Sequence, residues 1–189
     1  MNTGEVIDNL FNKYYHDNPE LLRIVYVHSQ MVADKALKIL QTQKLPLNPE
    51  DVYAAAMLHD IGVVKCKAND IHAFGNLPYL QHGIEGEKIL KENGLDKFAS
   101  VCLTHTGAGI SAKDIRENKL PLPEIDLIPK SLLEKLICYA DKFYSKSGDL
   151  KKEKNLNDVI EQMKKFGPES LQRFLEMNSL FNSNFAPTD

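Results

Sequence analysis

Six side chains in this 189-residue chain can do chemistry together: His28, the adjacent pair His59-Asp60, His82, His105 and Asp141. Each falls on or beside the apolar face, or at the end, of a segment with helical periodicity. Imidazoles and carboxylates placed among core residues are costly unless something satisfies them. One divalent ion would satisfy several at once. Mixed nitrogen and carboxylate donors suit zinc, manganese, ferrous iron, nickel or cobalt better than calcium or magnesium. His28, His59, Asp60 and Asp141 would leave coordination positions for water and substrate. Asp60 has two oxygens and could bridge to a second ion, for which His82 and His105 are the natural ligands. Such a centre lowers the pKa of a bound water and holds a phosphate oxygen. Taken singly, each histidine is more often a satisfied core residue than a ligand. A second His-Asp dipeptide, His16-Asp17, follows Tyr14-Tyr15 just before Pro19 and is read as a helix terminus. His72 lies in an irregular stretch and is read as a surface residue.

The segments that must position these groups are helical. Residues 4–16 form a first helix. A long second one, about Pro19 to Thr42, carries Leu21, Ile24, Val25, His28, Met31, Val32, Ala36, Ile39 and Leu40 at three- and four-residue steps, so His28 faces the core. Asn48 caps a third, with Pro49 in its first turn, and Gly62 stops it, leaving His59-Asp60 at its C-terminal end. Adjacent helical residues point about 100° apart, so these two converge only where the helix ends. Residues 63–81 show no clear period and are read as a loop with one short turn. Further helices run from His82 to Asn93-Gly94, over 96–106, from Ser131 to about Tyr144, and over 155–166 and 168–181. Residues 107–130 hold one short helix capped by Ser111 and Asp114; this stretch is either a lid or a plain surface excursion. No strand pattern stands out, and the tail after Asn182 is expected to fray. The expected architecture is all-α, a single domain over 1–189 with at least five core helices: a core over about 20–145 and a helical extension over 150–182.

Composition excludes some roles. Hydrophobic residues are 43%, charged residues 26% and net charge −3, so no cationic field draws nucleic acid polymers or anionic membranes. The late lysines (Lys142, Lys146, Lys151, Lys152, Lys154, Lys164, Lys165) are interrupted by acids and are read as a solvated helical surface. Three cysteines without a CxxC pair argue against disulfides and thiolate zinc sites; Cys102 and Cys138 are read as core. The N-terminal segment is too polar for a signal peptide and no run spans a bilayer, so cytoplasm is the expected compartment.

The order His, His-Asp, distant Asp resembles the HD-domain superfamily of metal-dependent phosphohydrolases. MLHDIG at 57–62 looks like its signature. QHGIEGEKIL at 81–90 and LTHTGAG at 103–109 resemble the extra histidine motifs of its bimetallic branches, and LLEKLICYADK at 132–142 resembles the helix supplying the last aspartate. The likeness spans about 20–145 and is nearest to small single-domain predicted HD hydrolases, with a similar layout in HD-type symmetrical dinucleoside tetraphosphate hydrolases. It implies one or two divalent metals, Asp60 as the shared ligand, Asp60 and His59 at the centre of catalysis, and hydrolysis of a small phosphorylated substrate, a nucleotide in most branches. Three departures narrow this. Val63 stands where many dinuclear members have lysine, so Lys65, Lys67 and Arg116 become the candidates for binding outer phosphates. His105-Thr106 replaces a doubled histidine and the GYP region is missing, which argues against a cyclic-dinucleotide phosphodiesterase. Long basic segments like those of guanosine-tetraphosphate hydrolases are also missing. The alternative is a non-catalytic regulator that binds metal or nucleotide. A helical surface would suit a homodimer.

Overall fold

The computed structural model describes residues 2–182. Its helices begin where polar caps meet orphan backbone N–H groups. In α1 (Thr3–Tyr15), Asn2 accepts from the Glu5 amide and the Glu5 carboxylate accepts in return. In α2 (Pro19–Thr42) the Asn18 side chain accepts from Leu21, and in α3 (Pro49–Leu58) Asn48 accepts from Glu50; both helices carry proline in the first turn. The capping box appears again at α6 (Ala112–Glu117) with Ser111 and Asp114, and at α7 (Leu132–Asp141) with Ser131 and Glu134. The remaining helices are α4 (His82–Glu92), α5 (Asp96–Thr104), α8 (Leu156–Lys164) and α9 (Pro168–Phe181). The architecture is all-α, as expected.

The second helix is the axis of the core. It packs on α3 and α7, while α7 also meets α5 and α9. Val25 and Val32 of α2 are fully buried, each stabilising by about 1.5–3 kcal/mol. The run Ala54-Ala55-Ala56 in α3 is also buried; small side chains let α3 lie close to its neighbours. At the other end, Tyr139 of α7 stacks on Phe174 of α9 with ring centroids 5.5 Å apart. Its hydroxyl donates to Asn178 Oδ1 at 2.8 Å. The last helix is thereby fastened to the one that ends in Asp141.

Residues 63–81 are more ordered than their sequence implies. A short 3-10 helix (Ile61–Lys65) leads into β1 (Cys66–Ala68), which pairs antiparallel with β2 (Ala73–Phe74) and parallel with β3 (Leu77–Pro78). Strands of two or three residues are too short to show an alternating pattern, so periodicity misses them. The stretch 107–130 is pinned as well. Ile110 and Leu127 exchange backbone hydrogen bonds of 2.9 and 2.8 Å. Arg173 of α9 donates to the carbonyls of Ala108 and Gly109 at 3.0 and 2.9 Å. The helix opened by Ser131 stops at Asp141, short of the expected Tyr144. The expected fraying of the tail lies outside the described residues. No helix among the described residues is long and apolar enough to cross a membrane.

Candidate metal centre

Helix ends build the site. His28 comes from the middle of α2 and is buried. His59 caps the C-terminus of α3, and Asp60 follows with φ −106° and ψ 10°, outside regular helix. His82 is the first residue of α4, His105 caps α5, and Asp141 is the last residue of α7. The break after α3 is what lets His59 and Asp60 face one point. Buried Tyr15 holds that break by donating to the carbonyls of Asp60 and Ile61 at 3.3 and 3.0 Å. Gly62 lies against α4, where a side-chain carbon would come within 2.1 Å of the His82 carbonyl oxygen.

The six groups form two overlapping clusters. Donor atoms of His28, His59, Asp60 and Asp141 lie within 4.8 Å of one another, as do those of Asp60, His82 and His105. His28 Nε2 is 2.9 Å from Asp141 Oδ1 and 3.3 Å from Asp60 Oδ2, and His59 Nε2 is 3.0 Å from Asp60 Oδ2. On the other side, Asp60 Oδ1 is 3.5 Å from His82 Nε2 and 3.4 Å from His105 Nε2.

Tautomers decide whether these residues fit a cation. His59, His82 and His105 each place Nδ1 within 2.6 to 2.7 Å of a carbonyl three residues earlier, that of Ala56, Tyr79 or Cys102. A carbonyl only accepts, so each Nδ1 carries hydrogen and donates. In the neutral ring the lone pair then sits on Nε2, aimed inward, an arrangement characteristic of metal-binding histidines. His82 Nε2 and His105 Nε2 therefore face each other 3.0 Å apart as two acceptors. Buried Asp60 Oδ1 meets no hydrogen-bond partner among the described residues. Opposed lone pairs and an orphaned acceptor on a shared carboxylate are what a cation would resolve, so the donor set fits one or two divalent ions.

Electrostatics agree. Burial alone would raise the carboxyl of Asp60, yet His59 and Lys146 hold it well below the usual range. Burial would likewise raise Asp141, but Lys142 and Lys146 keep it low. Burial and the neighbouring His105 push His82 down to about 3, so it stays neutral and able to ligate. His59 behaves oppositely: burial opposes its charge, but Asp60 and Asp141 outweigh burial and raise it to about 9. A raised pKa stabilises the metal-free fold fully below pH 6.5, and that contribution is lost as pH rises through 9. Metal must displace the same proton. Mn²⁺ affinity is therefore expected to rise about tenfold from pH 7 to 8, and less steeply as pH approaches 9. Calorimetric titrations across that range check this, and a flat profile would contradict it.

Other expected residues divide. Lys67 lines a cleft of about 510 Å³ that reaches Asp141. Lys65 instead lies over the Tyr14 ring, 5.9 Å from its centre, and Arg116 is exposed and ion-paired with Glu124; neither lines the cleft. His72 is exposed and packs on Phe74, and His16-Asp17 is an open surface pair. The surface assignment of the late lysines is wrong for Lys142 and Lys146, and Lys154 too is half-buried, on the wall of the same cleft. Lys142 is buried, 2.7 Å from Asp141 Oδ2 and 3.0 Å from the His105 carbonyl. Lys146 reaches Asp60 Oδ2 at 2.6 Å. Neither was singled out from sequence. The available signal was position, just beyond an aspartate that ends a buried helix.

The sequence model of the HD domain matches residues 25–145, which include all six metal-binding candidates. The chain belongs to the HD-domain family. Among curated proteins, this HD chain is similar to a tRNA (cytidine(56)-2'-O)-methyltransferase of Picrophilus torridus, 29% identical over 89% of the chain and 49% of that protein. A methyltransferase of the same description from Thermoplasma volcanium is 29% identical over 75% of the chain and 37% of its own length. An uncharacterized protein of Methanocaldococcus jannaschii is 28% identical over 84% of the chain and 88% of its length. The HD chain thus spans half or less of the two named relatives. No solved structure matches it.

Proposed function

We propose that this HD protein is a divalent-metal-dependent phosphohydrolase acting on a small phosphorylated metabolite, with a nucleotide as the first candidate. The observation that carries this is the buried Asp60 carboxylate, flanked on one oxygen by His28 and His59 and on the other by His82 and His105. A divalent ion held there would lower the pKa of water and neutralise phosphoryl charge. His28, His59, Asp60 and Asp141 would hold one ion, and Asp60, His82 and His105 a second. In hydrolysis a water oxygen bonds to phosphorus, the bond from phosphorus to the leaving oxygen breaks, and the water proton ends on the leaving group or solvent. Lys146 reaches the shared carboxylate from the cleft wall and is positioned to hold a phosphoryl oxygen instead. Lys142, tied to the His105 carbonyl, orients α7 against α5.

The test is a panel of nucleotides and phosphate monoesters with Mn²⁺ and with chelator. Metal-dependent release of phosphate is expected, and Lys146→Met should raise KM by about tenfold or more, as loss of a charged hydrogen bond to a phosphate implies. A panel with no turnover under any metal would sink the proposal. The methyltransferase relatives favour a second role, a non-catalytic metal- or nucleotide-binding domain serving an RNA-modifying enzyme. Their greater length leaves room for methyl transfer outside the part matched here. That role predicts nucleotide binding without turnover.

A further inference from the structure

The cleft beside the metal centre is lined by four lysines: Lys67, Lys142, Lys146 and Lys154. Two are matched by anions, Lys142 by Asp141 and Lys146 by Asp60. Lys154 is not. Its half-buried ammonium donates to the carbonyls of Lys142 and Tyr144 at 3.3 and 3.4 Å, and to Gln162 Oε1 at 3.1 Å. All three are neutral oxygens, and Lys154 makes no ion pair among the described residues. A cation removed from water ordinarily has an anionic partner. Burial depresses its pKa; Asp141 and, more weakly, Asp158 oppose this, while Lys142 and Lys146 add to it.

The charge count across the cleft points the same way. Of the two acids lining it, Asp141 would be consumed by a metal, leaving Asp70 against the four ammonium groups. A monoester dianion at Lys146 would leave Lys154 unmatched. The cavity is within the range of small-molecule sites, and Ser145 and Ser147 add hydroxyls to its wall.

We propose that the cleft selects compounds carrying at least two linked phosphates, the reacting one beside Asp60 and Lys146 and a second one paired with Lys154. This rests on the phosphohydrolase assignment for the reacting phosphate, while recognition of the second can be measured without turnover. The probes are inorganic phosphate and the non-hydrolysable methylenediphosphonate, presented as its Mn²⁺ complex, titrated calorimetrically into Mn²⁺-loaded protein. The wild type should bind the diphosphonate at least about tenfold more tightly than phosphate, a typical worth for one charge-assisted contact. Lys154→Met should reduce that preference to about threefold or less with phosphate binding unchanged, and Lys154→Arg should retain it. Equal losses for both probes, or an unchanged preference in Lys154→Met, would overturn the proposal. Absence of hydrolysis in the wild type would count against the phosphohydrolase assignment and leave this binding comparison intact.

Discussion

Asp60→Asn is expected to remove both metal positions at once. The substitution keeps volume and shape but replaces one carboxylate oxygen by an amide donor and removes the charge. Both oxygens are in use: one faces His28, His59 and Lys146, the other His82 and His105. Bound metal should fall to a small fraction of an ion per chain by elemental analysis. Metal-dependent turnover should fall about a thousandfold or more, in keeping with the several kcal/mol of transition-state stabilisation that an ion supplies. A second effect follows from Lys146. Its partly buried ammonium group loses its nearest carboxylate partner, so thermal melting in chelator belongs beside the assay. His82→Gln is the comparison, since His82 belongs to only one of the two clusters; it should keep an ion at His28, His59, Asp60 and Asp141. Turnover in Asp60→Asn within tenfold of wild type would mean that hydrolysis occurs elsewhere.

Gly62→Ala should be a strongly damaging one-carbon addition beside the metal centre. The new methyl group would sit 2.1 Å from the His82 carbonyl oxygen, 2.3 Å from the Gly86 amide nitrogen and 2.9 Å from the Glu85 carbonyl carbon. All three are backbone atoms, so no side chain can rotate away. The turn after Asp60 and the start of α4 must separate, carrying His82 away from Asp60. Overpacking of this kind costs about 3 kcal/mol, and occasionally more. For a chain of this size that is roughly a 6–12 °C fall in Tm. Melting followed by circular dichroism checks it, and a Tm within 2 °C of wild type would show that the two segments are not held in contact.

Most of the frame was legible because local chemistry writes it. Asn48-Pro49, Ser111 with Asp114, and Ser131 mark helix starts through caps and fixed dihedrals that need no distant partner. The positions of His28, His59-Asp60, His82, His105 and Asp141 were legible for the same reason, as points on those helices. Lys142 and Lys146 were not. A lysine beyond a helix end is ordinarily solvated, and here only the tertiary closure of α7 against α5 and Asp60 buries it. Lys65, Lys67 and Arg116 were chosen by charge and loop position. Charge carries no direction, and only Lys67 turned out to line the cleft. The small sheet at 66–78 was hidden because its strands are too brief to alternate.

The division of labour along the chain has an evolutionary reading. Every metal-binding candidate lies inside the stretch that the HD family shares, residues 25–145. Lys146 and Lys154, on the cleft wall, lie just past its edge, in the link between α7 and α8. A short run of backbone can therefore drift, lengthen or be exchanged while the ion-holding set stays fixed, and α9 remains anchored through Tyr139, Asn178 and Arg173. If the proposed hydrolysis holds, relatives with the same six residues and a different link would keep the reaction and change its clientele.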